Sequence, residues 1–103
     1  MVNIKQVGYF IAVFETKSFT AAAHQCNVTV QAISKSISEL EQLFNVQFFE
    51  RGNSGVKPTR AGRSFYAKAR HAVEAYREVE SFDPSGCDLT VLSASGAQVM
   101  PEL

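Results

Sequence analysis

Apolar positions in the first half of the chain recur at helical spacing. Ile4, Val7, Ile11 and Phe14 lie three, four and three residues apart and predict a first helix from about Ile4 to Thr16. Phe10 and Val13 widen its apolar face beyond what a small core needs, so this helix is expected to serve both a core and a second surface. Ile33, Ile37, Leu40 and Phe44 recur four, three and four residues apart and make another core-facing stripe. Between these stripes Ser18 is placed to cap a helix starting near Thr20, because its hydroxyl can accept a backbone N–H from the first turn. Ala21, Ala22 and Ala23 are strong helix formers that leave room for a close neighbour. Asn27 tolerates the left-handed conformation that ends a helix, and Thr29 caps the next one. Asn45 sits where that helix should stop. Val46, Phe48 and Phe49 then suggest a short strand over Val46 to Arg51, followed by Gly52-Asn53-Ser54-Gly55, a turn by composition. Val56-Lys57 starts a second strand that Pro58 limits to an edge. Thr59 caps a final helix running to about Phe82.

Ser18 to Arg51 therefore reads as two helices joined by a tight turn, with small polar groups at the start of the second. Off its core stripe that helix carries Val30, Gln31, Ser34, Lys35 and Ser38, and Thr29 stands at its cap. These side chains are short or flexible and mostly uncharged, so they can approach base edges and phosphates closely. Val30 can contact a thymine methyl, and the helix N-terminus adds partial positive charge near phosphate. The hairpin carries Arg51 at its base and Lys57 on its return, which suits a wing touching phosphate or the adjacent minor groove. The expected fold is mainly α: a winged helix-turn-helix of three helices plus a two-stranded wing, followed by a long helix. The expected partner is double-stranded DNA.

Along the last helix Gly62, Phe65, Ala69, Ala72, Tyr76 and Val79 alternate three and four residues apart, the spacing of a coiled-coil seam. Phe65, Ala69, Ala72, Tyr76 and Val79 are the expected homodimer contacts. The plainer alternative is that the stripe packs on its own domain. That suits Phe65, but at roughly 1.5 Å per residue Tyr76 and Val79 lie too far along for so small a domain to cover. The chain divides into a winged domain over 1–59, a linker and dimerisation helix over 60–82, and a tail over 83–103.

The segments YFIAVFETKSFTAAA, AISKSISELE and FFERGNSGVKPTRAG, in this order and spacing, resemble the N-terminal part of LysR-type transcriptional regulators. The resemblance runs from about Ile4 to Phe82. It implies a winged helix-turn-helix, a dimerising linker helix, a partly palindromic promoter site and a C-terminal effector-binding domain. The family usually opens its recognition helix with Gln then Pro, where this chain has Val30 and Gln31, which implies an unusual preferred sequence. Ser34 matches. Lys35 stands where the family has Arg and offers a point charge rather than a fork. Asn45 replaces a common Gly at a position needing positive φ.

With 103 residues the chain has room for one domain and an extension. Its formal net charge is zero, but unevenly spread. Residues 1–60 carry six basic and four acidic groups, 61–82 four basic and three acidic, and the last 21 only Asp83, Asp88 and Glu102. A mildly basic reader binds weakly alone, and a dimer doubles its phosphate contacts. No apolar run approaches a membrane span and no signal peptide opens the chain, so it is read as cytoplasmic, bacterial and at the nucleoid by function. Cys26 and Cys87 lack metal-ligand spacing, and Cys26 is expected to pack as a small apolar residue.

Catalysis finds no footing. Ser34 lacks a base at a telling spacing, His24 and His71 fall on separate helices, and no glycine pattern cradles a phosphate. No enzyme activity, cofactor or metal is expected. Glu41 is read as a partner for a cation such as Arg51. Asp83-Pro84-Ser85-Gly86 is a hinge by composition, and 88–93 has strand propensity but no sheet to join. Either the chain is a fragment, or that strand pairs with another copy; the tail is expected to be disordered or held by a partner chain. A small-molecule effector requires the further domain, and a tetramer also depends on it. The alternative function is a winged-helix module that binds protein, for which an acidic or apolar recognition face would be the cue. A single-strand binder would need exposed aromatics for stacking.

Overall fold

The computed structural model describes residues 1–53 and 55–86. Four helices and one hairpin follow in chain order: α1 (Ile4–Thr16), α2 (Phe19–Cys26), α3 (Val30–Phe44), β1 (Phe49–Gly52), β2 (Gly55–Pro58) and α4 (Arg60–Glu80). A short 3-10 turn covers Pro84–Gly86. There Asp83 Oδ1 accepts from the Ser85 N–H and hydroxyl, which pulls the Asp83 carboxyl below its ordinary range. The sequence-predicted strand at 88–93 lies outside the described residues.

Local chemistry sets the helix limits. Asn3 and Gln6 form a reciprocal capping box on α1, each side chain accepting the other's backbone N–H. Ser18, Thr29 and Thr59 accept from Ala21, Ala32 and Gly62 at 3.0 Å and open α2, α3 and α4. Lys17, Asn27 and Asn45 end the first three helices at φ 57°, 60° and 55°. Asparagine tolerates this left-handed region, whereas Lys17 is held there by its N–H donating to the Val13 carbonyl at 2.8 Å.

α1 is the central element and packs against α2, α3 and α4. Its Phe10 is fully enclosed, with ring centroids of Phe48, Phe49 and Phe65 at 5.3, 5.1 and 4.9 Å. Aromatic pairs of this kind add about 0.5–1.5 kcal/mol each beyond simple burial. Phe10 and Val13 therefore belong wholly to the domain's own core. The breadth of the α1 face at these two positions is taken up by packing against α2, α3 and α4.

Three further expectations change. Phe44 ends the α3 stripe 45 % exposed where the chain turns at Asn45, with the rings of Phe48 and Phe65 at 6.2 and 5.5 Å. The first strand starts at Phe49, since Phe48 N–H and Phe49 N–H both donate to Glu41 Oε2, at 2.8 and 3.3 Å, and not to a ladder. Glu41 thus holds the start of the hairpin through its backbone, and it has no bond to Arg51. Finally, Ala69 is 3 % exposed within the core cluster and Phe65 stacks on Phe48 with centroids 4.6 Å apart. The early turns of α4 are therefore part of the winged domain's core, and Ala69 is not surface for another chain.

Candidate nucleic-acid interface

α3 presents its outward face because its core face is so well defined. At roughly 100° per residue, Ile33, Ile37 and Leu40 fall on one side, and Gln31, Lys35, Ser38 and Gln42 on the other. Ser34 flanks this outward strip, whereas Val30, the first residue of the helix, lies beside Ile37 by spacing. Thr29, Val30, Gln31 and Lys35 are exposed, Val30 at 39 %, and Ser34 and Ser38 are half-buried. Gln31, Ser34, Lys35 and Ser38 thus share one face, with the exposed Val30 at the start of the helix. Thr29 Oγ1 accepts the Ala32 N–H, which leaves its own hydroxyl proton for another acceptor.

No carboxylate interrupts that face from Val30 to Ser38. The two that follow are engaged elsewhere: Glu39 accepts from Gln6 Nε2 at 3.1 Å, and Glu41 holds the Phe48 and Phe49 amides. A surface with exposed N–H and O–H donors, one cation and no carboxylate before Glu39 is suited to a polyanion.

The hairpin stands beside α2. β1 and β2 pair antiparallel, with Glu50 opposite Lys57 and Arg51 opposite Val56. Directly paired residues share a face and successive ones alternate. Arg51 and Lys57 therefore occupy opposite faces, an arrangement the sequence left undefined. The Arg51 guanidinium lies 4.3 Å from the centroid of the Phe19 ring, at the first residue of α2. Phe19 also meets Phe49 edge-on at 6.4 Å. The contact fixes the guanidinium over the ring, and the group carries five N–H donors for an acceptor. Lys57 lies along the other edge, in a hollow that also receives Lys17 and Arg63. Sequence reasoning missed the last two, since no periodicity connects the end of α1 to the start of α4.

The far end of α4 is bare. Ala72 is exposed, Tyr76 is 44 % and Val79 73 % accessible, and Phe82 just beyond the helix is also exposed. Facing α1 instead, Tyr66 stacks on Phe14 with centroids 3.9 Å apart and donates its hydroxyl to Glu15 Oε2 at 2.6 Å. That bond to a carboxylate raises the Tyr66 phenol above its ordinary range. Arg70 adds ion pairs to Glu15 at 3.3 Å and Glu74 at 3.4 Å. The Cys26 thiol is pushed up by burial, which suits packing and not nucleophilic chemistry. His24 and His71 are both exposed. Among the described residues no group of three or more His, Cys, Asp or Glu is arranged to hold a metal ion, and no helix is long and apolar enough to cross a membrane.

Comparison with known proteins places this geometry. The family model described as bacterial regulatory helix-turn-helix protein, lysR family, matches residues 4–63. The HTH-type transcriptional activator AaeR of Escherichia coli (strain K12) is 34 % identical over 79 residues, which are 77 % of this chain and 26 % of that protein. The chain thus spans about a quarter of the length of the curated relatives it matches. The crystal structure of the CbnR_DBD-DNA complex superposes with a TM-score of 0.74 at 32 % identity, covering 77 % of this chain and 91 % of that one. The BenM_DBD/benA site 1 DNA complex superposes equally well, at 0.74 and 32 % identity, covering 78 % and 93 %.

Proposed function

The chain belongs to the lysR family of bacterial regulatory helix-turn-helix proteins, and from that premise we propose that it is a transcriptional regulator that reads double-stranded DNA as a homodimer. The observation that carries this reading is the outward face of α3. There Thr29, Val30, Gln31, Ser34, Lys35 and Ser38 converge without a carboxylate among them. The start of α3 enters a major groove. Gln31 and Ser34 meet base edges, Val30 meets a thymine methyl, and Thr29 and Lys35 meet phosphate. Arg51 and Lys57 bring the hairpin to the backbone beside it. Solved relatives under the names CbnR and BenM were crystallised with DNA, which supports the same partner here.

The dimer is read from what α4 leaves uncovered. Its first turns are spent on its own domain, and Tyr76 and Val79 are bare. An antiparallel pairing about a two-fold axis near Ala72 sets Val79 of one chain against Phe65 of the other. That covers exposed apolar surface at both ends of the seam, including the half-open Phe44 beside Phe65. Two half-sites bound together then offset the modest charge of each domain. Tetramer formation and a small-molecule response belong, in this reading, to an effector-binding domain and not to residues 1–86.

The test is fluorescence anisotropy with a randomised duplex pool and a matched single strand across a salt series, followed by sequencing of bound duplex. The expected result is salt-sensitive duplex binding that enriches a two-fold symmetric site. A dimeric chain that prefers single strands would overturn the reading in favour of a single-strand binder, and one that binds no duplex at low salt would overturn it in favour of a protein partner.

A further inference from the structure

Three cations from three separate elements meet along the outer edge of β2. Lys17 is the left-handed residue that ends α1, Lys57 lies within β2, and Arg63 lies in the first turn of α4. Together with Val56 and Pro58 they line one hollow, and no Asp or Glu is among its lining residues. Like charges lining one hollow repel one another, and an anion between them relieves that repulsion. Among the described residues, the ion pairs formed are those of Arg70, so none of the three cations is neutralised that way. Glu50 faces Lys57 across the hairpin and makes no ion pair with it. Arg63 is also fixed in place. Its Nη1 donates to the Pro58 carbonyl at 3.2 Å, which ties its guanidinium to the strand and leaves its remaining N–H groups for another acceptor.

We infer that Lys17, Lys57 and Arg63 form one cradle for the DNA strand that separates the groove read by α3 from the groove touched by the hairpin. This rests on the regulator reading above. In a helix-turn-helix the first motif helix, here α2, crosses the backbone while the second enters the major groove. Lys17 immediately precedes the Ser18 cap of α2, and Arg51 of the same hairpin lies on Phe19 at the start of α2. If α3 sits in the major groove and the hairpin reaches the adjacent minor groove, the sugar-phosphate strand between those grooves must run between them. The hollow draws Lys57 from the hairpin and Lys17 from beside the α2 cap, the elements that would flank that strand. Its chemistry favours phosphodiester oxygens over bases: ammonium and guanidinium donors of one sign and no acceptor side chain. The cradle therefore adds affinity and fixes register, and it carries no sequence information.

The experiment is the salt dependence of duplex affinity for the full chain and its variants Lys17→Gln, Lys17→Arg, Arg63→Gln and Arg77→Gln. Arg77 serves as the control. Its loss changes net charge equally, but it lies roughly 20 Å further along α4 at 1.5 Å per residue. Each phosphate contact removed should flatten the slope of log affinity against log salt by about 0.9, and by twice that when both chains of a dimer lose it. Lys17→Gln and Arg63→Gln are expected to show this flattening and to weaken every duplex sequence by the same factor. Lys17→Arg should retain the wild-type slope, and Arg77→Gln should leave it unchanged. Slopes for Lys17→Gln and Arg63→Gln equal to wild type would overturn the cradle, as would a changed sequence preference. Equal flattening by Arg77→Gln would also overturn it, by reducing the effect to net charge. Failure of the wild-type chain to bind duplex would instead overturn the regulator reading itself, and the cradle with it.

Discussion

Glycine-to-alanine substitution is expected to act with opposite signs at the two glycines inside helices. Gly8 lies within α1 and Gly62 in the first turn of α4. An alanine inside a helix is more favourable than glycine by about 1 kcal/mol, mainly through the backbone entropy that glycine loses on folding. A Cβ added at Gly8 meets nothing within 4 Å, so that gain stands alone there. A Cβ added at Gly62 lands on the backbone carbonyl of Phe48, far inside contact distance of its oxygen and 3.2 Å from its carbon. A backbone carbonyl cannot rotate aside as a side chain would. Either α4 lifts away or the start of the hairpin shifts, at about 1–3 kcal/mol for overpacking. The same carbonyl accepts the Thr59 N–H at 2.9 Å, and its loss adds about 1 kcal/mol. The losses exceed the propensity gain, so Gly62→Ala should destabilise by roughly 1–3 kcal/mol while Gly8→Ala stabilises by about 1 kcal/mol. Urea unfolding followed by circular dichroism reads both, at one protein concentration because dimerisation moves the midpoint. With slopes of about 1–3 kcal/mol per molar for small domains, the midpoints should move apart in opposite directions by amounts easily resolved. A Gly62→Ala chain as stable as wild type would refute the close approach of α4 to Phe48.

Other outcomes follow from single contacts. Glu41→Ala should cost more stability than Glu41→Gln, since glutamine keeps an acceptor for the Phe48 and Phe49 amides while alanine leaves both without it; equal urea midpoints would rule out that tether. Tyr76→Asp should shift the chain towards monomer in sedimentation and weaken duplex binding, and an unchanged mass would sink the proposed seam. Gln31→Ala should alter which duplex sequences are enriched, whereas a uniform loss would reassign Gln31 to phosphate. The Tyr66 phenol titrates above its unfolded value, so its contribution is fully present below the ordinary tyrosine range and is lost as pH rises through the raised value. The difference in urea midpoint between wild type and Tyr66→Phe should therefore shrink in strongly alkaline solution, and a difference constant with pH would refute the Glu15 bond as its source.

The elements of this fold were legible wherever their cause is local. Ser18, Thr29 and Thr59 cap through bonds to residues three positions ahead, and Asn27 and Asn45 end helices through their own backbone preference. The shared face of Gln31, Ser34, Lys35 and Ser38 followed from helical spacing alone. The Lys17 terminus gave no such signal, because its conformation rests on a backbone bond that any residue can make.

The amino-acid sequence by itself determined the order of helices and hairpin, the outward polar strip of α3 and the family, since each depends on residues a few positions apart or on motifs in a fixed order. Only the tertiary structure decided what each apolar face meets. Periodicity defines a stripe but not its neighbour: Phe10, Val13 and Ala69 lie on stripes that could serve a partner, and all three are consumed by the domain's own core. The same limit hid the partner of Glu41, two backbone amides seven and eight residues away, and the meeting of Lys17, Lys57 and Arg63. Charges far apart in the chain become one surface only when packing brings their elements together, and packing energy is non-local by nature.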